Sequence, residues 1–334
     1  MRQAAEEGTR IPGTLQELYA PIARQLQQIE QIFCQELRSR HPFIDRLAQH
    51  GFRLGGKRLR PALLLLSASA CGRIEQTHLI LATAMEMFHT ATLIHDDVLD
   101  EAMMRRHLVT VNAQWDNETS VLLGDYLFTR SLCMISSLDD AFACRTFARA
   151  SRVMCEGELR QAASRGNYGL TEPEYLEIIA DKTGALTACC CRLGAHYAGG
   201  DPAQCEALER FGLELGVAFQ IADDLLDVLG DESKVGKSLG TDLLKQKSTL
   251  PMIRLLAQVP LPERRELLAL LSRSDNHRRE ALRPWWDGSD ALAYTRQKAY
   301  WHARQAAEAL AVLPPGPARE ALRGLTDFVV SRDQ

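Results

Sequence analysis

The stretch Asp96-Asp97-Val98-Leu99-Asp100 recurs as Asp223-Asp224-Leu225-Leu226-Asp227, and each copy ends an otherwise apolar helical segment. Between Leu79 and His95 the only charged residue is Glu86, and between Gly212 and Ala222 it is Glu214. The first and last Asp of each copy are one helical turn apart, so their carboxylates lie on one face of a helix. We therefore expect helices around both copies, with an acidic cluster at the end of each.

A single Asp-Asp-x-x-Asp is often only a solvated helix end, because charged residues usually lie on wet surfaces. Two copies in apolar segments favour a shared site instead. Carboxylates this close repel one another unless a cation lies among them, and Mg²⁺ prefers oxygen ligands that it often shares with a substrate phosphate. The two motifs therefore predict a diphosphate held between two acidic helices by bridging Mg²⁺ ions.

Composition excludes several classes of protein. The chain has 334 residues, is 46% hydrophobic and carries a formal net charge of -4, which does not support general nucleic-acid binding. Its nine cysteines, including the run Cys189 to Cys191, suit buried free thiols in a reducing cytoplasm. The polar N-terminus does not resemble a secretory signal, and no run reaches the roughly 18 to 20 apolar residues of a membrane span. These features predict a cytoplasmic protein without a transmembrane segment.

Apolar residues recur at spacings of three and four almost throughout, whereas alternating strand patterns are hard to find. No break resembles a long flexible linker, so we predict one all-α domain at 13–334, a helical bundle with a central apolar cavity, after a disordered N-terminus at 1–12. The predicted helices are roughly Leu15 to Arg38, Pro61 to Ala70, Gln76 to Glu101, Val121 to Ser136, Asp140 to Gln161, Glu172 to Ala198, Gln204 to Leu229, Pro251 to Leu256, Pro262 to Arg273, Asp290 to Leu310 and Pro317 to Val330.

Basic residues accompany both acidic motifs. The segment Gly55-Gly56-Lys57-Arg58-Leu59-Arg60-Pro61 places three cations beside flexible backbone, an arrangement that can wrap around an anion. Further basic residues that could contact a phosphate are Arg105, Arg106, Lys182, Lys237, Lys245 and Lys247. The pattern indicates two diphosphate sites, one bridged by metal and one held by side chains. Such a site suits the loss of a diphosphate from an allylic carbon, because cations stabilise the leaving group and an apolar cavity excludes water from the carbocation.

Eight segments occur in an order known from one family. They are Gly55 to Pro61, His95 to Glu101, Arg105-Arg106, Gly124-Asp125-Tyr126-Leu127, Glu158-x-x-Gln161, Lys182-Thr183, Phe219 to Asp227, and Lys237 to Pro251. In these segments the chain resembles the trans-isoprenyl diphosphate synthases, the polyprenyl synthetase family, and most of all their long-chain, octaprenyl-type branch. The resemblance implies the all-α prenyl synthase fold, a homodimer, and Mg²⁺ as cofactor with three ions.

The resemblance also implies roles for individual residues. The implied metal ligands are Asp96, Asp97, Asp100, Asp223 and Asp227, with Asp224 in the same catalytic cluster. The residues implied to contact the allylic diphosphate are Arg105, Lys182, Lys237 and Lys247. The residues implied to hold isopentenyl diphosphate are Lys57, Arg60, His89 and Arg106, and those implied to line the bond-forming region are Thr183 and Gln220. Without the resemblance, His89 would be interpreted as a core histidine.

The chain departs from the family pattern in two loops. After Arg105-Arg106 the family usually has Gly-x-Pro-Thr, whereas this chain has His107-Leu108-Val109-Thr110. In the loop after the second motif, Gln246 replaces the usual Gly before the final Lys. Neither change removes a carboxylate or a phosphate-binding cation, so we expect them to affect loop shape rather than the class of reaction.

The implied reaction is chain elongation: an allylic diphosphate ionises, the double bond of isopentenyl diphosphate attacks, and a proton is lost to the released diphosphate. A terpene cyclase shares the metal chemistry but needs no second diphosphate site, so Lys57, Arg60 and Arg106 argue against it. A non-catalytic subunit of a heteromeric synthase is expected to lose an Asp motif, and this chain keeps both. Peripheral membrane contact could assist release of an apolar product.

Product length is predicted from the helix before the first motif. Ala91 and Thr92 lie about one turn, roughly 5 to 7 Å, below Asp96, where a growing chain would pass. Short-product members of the family have bulky aromatics there, so the small residues predict a medium or long all-trans product. Phe88, one turn deeper, leaves a geranylgeranyl-length product as the alternative if its ring points into the tunnel.

Overall fold

The computed structural model describes residues 14–53, 56–229, 241–272 and 278–331, so the predicted N-terminal segment 1–12 lies outside the described residues. Over these ranges the chain is almost entirely helical, as predicted. The α-helices, numbered in chain order, are α1 (Leu15–Leu18), α2 (Ala23–Glu36), α3 (Pro42–Arg53), α4 (Leu59–Cys71), α5 (Gln76–Leu99), α6 (Val111–Gln114), α7 (Asn117–Ser136), α8 (Ala141–Ala163), α9 (Glu172–Ile179), α10 (Ala185–Tyr197), α11 (Pro202–Leu229), α12 (Thr241–Leu244), α13 (Leu250–Gln258), α14 (Leu261–Leu271), α15 (Arg278–Asp287), α16 (Ala291–Ala309) and α17 (Pro317–Val330). The other described elements are 3₁₀ turns at Ala20–Ile22 and Leu310–Val312, a π-helical turn at Ala180–Gly184, and strands β1 (Met104–Arg105) and β2 (Leu108–Val109).

Some helix boundaries differ from the sequence-based prediction. The predicted first helix is divided by the 3₁₀ turn that contains Pro21, a residue that cannot donate a backbone hydrogen bond. The prediction missed α3, a polar helix in which Leu47, Ala48 and Gly51 are buried. It also missed α15, because Pro284 lies inside that helix and prolines usually end helices.

The first departure from the family pattern forms a tight hairpin between β1 and β2. Arg106 and His107 are its two turn residues and have φ values of 51° and 64°. Turns with two residues of positive φ match the twist of paired strands but favour glycine, and a non-glycine residue there costs on the order of 1–3 kcal/mol. Gln246, the second departure, has a φ of 54°. His107 and Gln246 therefore keep the left-handed backbone conformation that a glycine adopts easily, and they do so at a cost in conformational strain.

Two buried helices, α5 and α11, carry the acidic motifs at their C-terminal ends. α5 packs along α7 and against α4, and its residues from Leu79 to Ile94 are mostly buried on all sides. α11 lies between α10 and α16. A helix that is apolar all round must be surrounded by other helices, which is why both motifs lie at the end of one shared bundle.

Glycines allow the backbone of α10 to lie close to the backbones of the neighbouring helices. A Cβ on Gly194 would overlap the carbonyl oxygen of Leu64 in α4, and a Cβ on Gly212 in α11 would overlap that of Thr187. On the N-terminal side of α10, a Cβ on Gly157 in α8 would lie 2.7 Å from the backbone nitrogen of Lys182. These contacts fix the π-helical turn before α10, and such turns often occur at functional sites.

A second, smaller hydrophobic cluster lies apart from the main core and is formed by α13, α14, α15 and the start of α16. Its buried members are Met252, Leu255, Leu256, Leu267, Leu271, Leu282 and Ala291. Partly buried residues packed against it include Tyr168, Leu243, Trp285 and Trp286. We call this group the satellite cluster.

Candidate active site

The first acidic motif closes the C-terminal end of α5. Asp100 caps the helix, and its backbone N–H donates to the carbonyl of Asp96 at 2.7 Å. Asp97 is only 1% exposed. Burial raises the pKa of Asp97, and it raises the pKa of Asp96 to about 6. Carboxylates removed from water in this way stay charged only if cations compensate them.

The second motif occupies the last turns of α11, where Asp224 is held by two donors. The Tyr175 hydroxyl donates to Oδ2 of Asp224 at 2.7 Å, and the Gln220 amide donates to Oδ1 at 2.7 Å. The Thr183 hydroxyl donates to Oε1 of Gln220 at 2.9 Å. Oδ1 of Asp224 therefore orients Gln220, and Gln220 in turn holds Thr183, while Oδ2 is occupied by Tyr175. The resemblance assigns Gln220 and Thr183 to the bond-forming region.

Asp242 connects the second motif with Lys247. Its backbone N–H donates to Oδ2 of Asp227 at 3.2 Å, and its carboxylate pairs with Nζ of Lys247 at 3.1 Å. Its carbonyl accepts from the Lys247 N–H at 2.9 Å. Asp227 is 3% exposed, and Asp223, one turn earlier, is half-buried. The short segment after α12 therefore places a cation beside this motif, whereas Lys237 lies outside the described residues.

Lysines from the same segment reach the first motif. Nζ of Lys245 forms an ion pair with Oδ1 of Asp100. Burial would raise the pKa of Asp100, but the hydrogen bond from Lys245 and the charge of Lys247 hold it below its ordinary value. Burial would likewise lower the pKa of Lys247, but the charges of Asp242 and Asp100 hold it above its ordinary value. Lys247 thus lies between the two acidic motifs, which face one space.

Arg105 and Lys182 are held by acceptors from other elements. Nε of Arg105 donates to Oδ1 of Asp97 at 2.8 Å. Nζ of Lys182, in the π-helical turn, lies 2.7 Å from Oε1 of Glu158 and donates to Oε1 of Gln161 at 2.9 Å. The charge of Lys182 also lowers the pKa of Asp96 against the dominant effect of burial. Cations from three separate elements therefore converge on the first motif.

The acidic residues have the character expected of magnesium ligands. Oδ2 of Asp97 is buried and has no hydrogen-bond partner among the described residues. Within the described ranges, no three His, Cys, Asp or Glu side chains gather closely enough to hold a metal ion unaided. Mg²⁺ usually takes one or two carboxylates and completes its shell with water and substrate phosphate. The donor set therefore fits Mg²⁺ shared with a phosphate better than a closed all-protein cage.

Arg58, which precedes α4, anchors the basic segment to the core. It forms ion pairs with Glu30 and, at 2.8 Å, with Glu86, whose side chain is 3% exposed. Its φ of 52° lies in the left-handed region. Removing Arg58 would leave the buried charge of Glu86 without its ion pair, which is costly. We therefore interpret Arg58 as a structural support for Lys57 and Arg60.

The four residues assigned to isopentenyl diphosphate lie around this segment. Lys57 is exposed, with Nζ 5.4 Å from the centre of the Phe328 ring. The Arg106 guanidinium lies against Gly56, because a Cβ there would overlap it. Burial, and then the charges of Arg60 and Arg106, hold the pKa of His89 well below its ordinary value. The residues thus form a basic group around a neutral imidazole, and Nε of Arg60 has no partner among the described residues.

Several residues of this site were not assigned an individual role by the family resemblance. They are Arg58, Glu86, Glu158, Tyr175, Asp242 and Lys245. Arg58, Glu158 and Lys245 belong to recognisable motifs or basic clusters, so the sequence contained a signal for them. Tyr175 had none, because its contact with Asp224 joins residues 49 positions apart.

The residues predicted to set product length lie on the buried face of α5. Ala91 is 1% exposed, and Thr92 is half-buried with its hydroxyl donating to the carbonyl of His89. Phe88 is 4% exposed, and its ring centre lies 4.9 Å from that of Phe147 and 5.6 Å from that of Phe128. An aromatic group from α5, α7 and α8 therefore lies one turn beyond Ala91.

Comparison with known proteins identifies the family of this chain. Residues 41–284 match the family model for polyprenyl synthetase. The chain is 35% identical to an all-trans-nonaprenyl-diphosphate synthase (geranyl-diphosphate specific) of Rhodobacter capsulatus, over 96% of this chain and 98% of that one. It is 35% identical to octaprenyl diphosphate synthase of Escherichia coli (strain K12), over 96% and 99%. A Caulobacter crescentus polyprenyl synthase solved with calcium and isoprenyl diphosphate covers 96% of this chain and 99% of its own at 36% identity, with a TM-score of 0.90. The chain therefore belongs to the polyprenyl synthetase family.

Proposed function

We propose that this protein is an all-trans polyprenyl diphosphate synthase that condenses isopentenyl diphosphate with an allylic diphosphate in the presence of Mg²⁺. The observation that carries the proposal is the position of Lys245 and Lys247. Lys245 pairs with Asp100 of the first acidic motif, and Lys247 pairs with Asp242, whose N–H bonds to Asp227 of the second motif, so both carboxylate sets face one space. The similar nonaprenyl and octaprenyl diphosphate synthases support a long product.

Metal binding is assigned to five carboxylates of the two acidic motifs. Asp96, Asp97 and Asp100 would hold Mg²⁺ from α5, and Asp223 and Asp227 would hold it from α11, with three ions in all by family resemblance. When bound, Mg²⁺ neutralises charge on the departing diphosphate. Asp224 is not placed among the ligands, because both of its oxygens already accept hydrogen bonds.

The chain's own cations would stabilise the leaving diphosphate. Lys182, Arg105 and Lys247 come from the π-helical turn, β1 and the segment after α12, and each is held by an acceptor. Cations positioned before the reaction stabilise developing charge without rearranging during it. Thr183 and Gln220 would orient the reacting groups at the same end of the cavity.

Isopentenyl diphosphate is assigned to the basic group formed by Lys57, Arg60, His89 and Arg106. Nε of Arg60 is buried and has no hydrogen-bond partner among the described residues, so a phosphate oxygen would satisfy it. His89 would contribute a neutral imidazole, because burial and the neighbouring arginines oppose its protonation. The released diphosphate is the proposed acceptor of the proton that leaves after attack, as the resemblance implies.

Replacement of one aspartate in each acidic motif tests the proposed reaction. Asp96→Ala and Asp223→Ala should each lower turnover by about 10²–10³-fold or more, because each removes charge that stabilises the transition state. The assay incubates the purified protein with labelled isopentenyl diphosphate, several allylic primers and Mg²⁺, and then sizes the products. Asp139→Ala, at an exposed aspartate, is the control and should retain activity. Full turnover in excess chelator would disprove the metal assignment.

Substitutions in the basic group should change the KM for isopentenyl diphosphate more than the KM for the allylic primer. Lys57→Ala and Arg106→Ala should raise the KM for isopentenyl diphosphate by about tenfold or more, because each removes a charged contact, while the KM for the allylic primer changes less. Arg24→Ala, at an exposed arginine on α2, is the control. If either variant raised only the KM for the allylic primer, the assignment of the two sites would be wrong.

Product length should depend on the space beside Ala91. Ala91→Tyr should shorten the products sharply with little loss of the first condensation, because the ring fills the path of the chain and leaves the carboxylates untouched. Ala91→Ser adds little volume and should leave product length unchanged. An unchanged product distribution in Ala91→Tyr would show that the chain does not pass this face of α5.

A geranylgeranyl-length product is the second candidate, and the position of Phe88 favours it. Its ring lies with Phe128 and Phe147 one turn beyond Ala91, where it could end the path of the chain. Sizing the wild-type products distinguishes this stop from a longer chain.

We also propose a homodimer, supported by apolar residues that α7 exposes. Val121, Leu122 and Leu132 are 42%, 60% and 39% exposed. Contiguous exposed apolar patches commonly mark a protein interface, and Val121 and Leu122 are neighbours on α7. Leu122→Asp should therefore convert the dimer to a monomer in sedimentation velocity, because an unpaired charge would be buried. Leu261→Asp, at a residue 77% exposed on α14, is the control, and a wild-type monomer would exclude the proposal.

We propose a cytoplasmic location, with peripheral membrane contact for release of an apolar product. All nine cysteines are free thiols, which fits a reducing compartment. Among the described residues, none of the helices has the length and apolar character needed to cross a membrane. Cell fractionation tests this location, and recovery from outside the cytoplasm would exclude it.

A further inference from the structure

The segment 242–249, here called the lysine loop, is tied to the rest of the protein on two sides. On the side of the acidic motifs, Asp242 bonds to Asp227 and pairs with Lys247. On the opposite side, the Gln246 carbonyl accepts from the N–H of Gly166 at 2.9 Å, and the Ser248 hydroxyl donates to the carbonyl of Asn167 at 2.8 Å. The position of Lys247 is therefore set by what holds the loop from both sides.

The loop also has an apolar support, which comes from the satellite cluster. Leu243, the residue after Asp242, packs against this cluster. Tyr168, in the turn that bonds the loop, packs against the same cluster and donates from its hydroxyl to the carbonyl of Leu271 at 3.2 Å. Both attachments of the lysine loop thus lead to α13, α14 and α15 rather than to the main core.

A small cavity lies where the satellite cluster meets the acidic motif. Its volume is about 30 Å³, and among the described residues its lining includes Asp227, Asp242 and Lys247 together with Leu282 and Trp286 of α15. A cavity of this size holds about one water molecule. The Trp286 side chain therefore lines the same cavity as Asp227, Asp242 and Lys247.

The preceding residue, Trp285, lies about 100° around the same helix. It packs against the satellite cluster as Trp286 does, and both are half-buried. Trp285 instead lines an outer cleft of about 480 Å³ with Pro260 and Glu263. Two adjacent tryptophans thus support the same cluster, but only Trp286 lines the cavity beside Asp227 and Lys247.

We propose that Trp286, with Leu282 beneath it, is a positioning residue for the lysine loop. Its ring supports Leu243 and closes the space behind Asp242, so that Lys247 is held where it meets the diphosphate. Removing the ring enlarges the cavity and lets Asp242 and Lys247 move away from Asp227. A displacement of about 1 Å in a residue that positions a substrate can lower the rate by as much as 10²-fold.

The test compares the two tryptophans, and it rests on the proposed function for the identity of the ligand. Trp286→Ala should raise the KM for the allylic diphosphate by about tenfold, with a smaller change in KM for isopentenyl diphosphate, because Lys247 contacts only the former. Trp286→Phe should restore the KM to within about threefold of wild type by refilling the space. Trp285→Ala should lower the melting temperature about as much as Trp286→Ala does, because both rings pack against the satellite cluster. It should leave both KM values near wild type.

A second measurement does not depend on turnover. Isothermal titration calorimetry with Mg²⁺ and inorganic diphosphate should show binding weakened about tenfold in Trp286→Ala and unchanged in Trp285→Ala. If wild type binds diphosphate but does not condense the two substrates, the proposed reaction fails while this comparison still tests Trp286. Equal effects of the two alanine variants, or none from Trp286→Ala, would overturn the proposal. Leu282→Val provides a milder variant with the same expected direction if Trp286→Ala does not fold.

Discussion

Repulsion among buried carboxylates is the constraint on which the rest of this structure depends. Two acidic motifs end two buried helices, and burial raises the pKa of Asp96 and Asp97. A charged carboxylate in such a place needs a cation nearby, since neither bulk water nor distant charges can compensate it. The protein supplies cations from several elements: Arg105 from β1, Lys182 from the π-helical turn, and Lys245 and Lys247 from the segment after α12. The remaining negative charge makes this end of the bundle suited to metal ions.

The same constraint accounts for the acceptors that hold the cations of the site. Each cation has its own acceptor, so it is positioned before any substrate binds: Glu158 and Gln161 hold Lys182, and Asp242 holds Lys247. Close backbone contacts at glycines then fix the helices that carry these groups. Strained turns at Arg106 and Gln246 remain tolerable because neighbouring contacts hold them, and strain of this kind concentrates at functional sites.

Much of the fold followed from the apolar pattern, and the errors have physical causes. The long helices α5 and α11 were predicted because apolar residues recur at spacings of three and four over most of their length. The polar helix α3 and the Pro-containing α15 were missed, since packing against neighbours stabilises them more than local preference does. The two-stranded hairpin was missed because its turn uses Arg106 and His107 where glycine is the usual signal.

The sequence by itself determined the chemistry of the site: two sets of carboxylates one turn apart, the basic residues near them, and the apolar helices that bury them. These features are local, because helical periodicity places residues four apart on one face whatever the rest of the chain does. Only the tertiary structure decided which groups meet, such as Tyr175 with Asp224, Lys245 with Asp100, and Arg58 with Glu86. Those pairs join distant segments, and their partners depend on how the helices pack and not on any spacing along the chain.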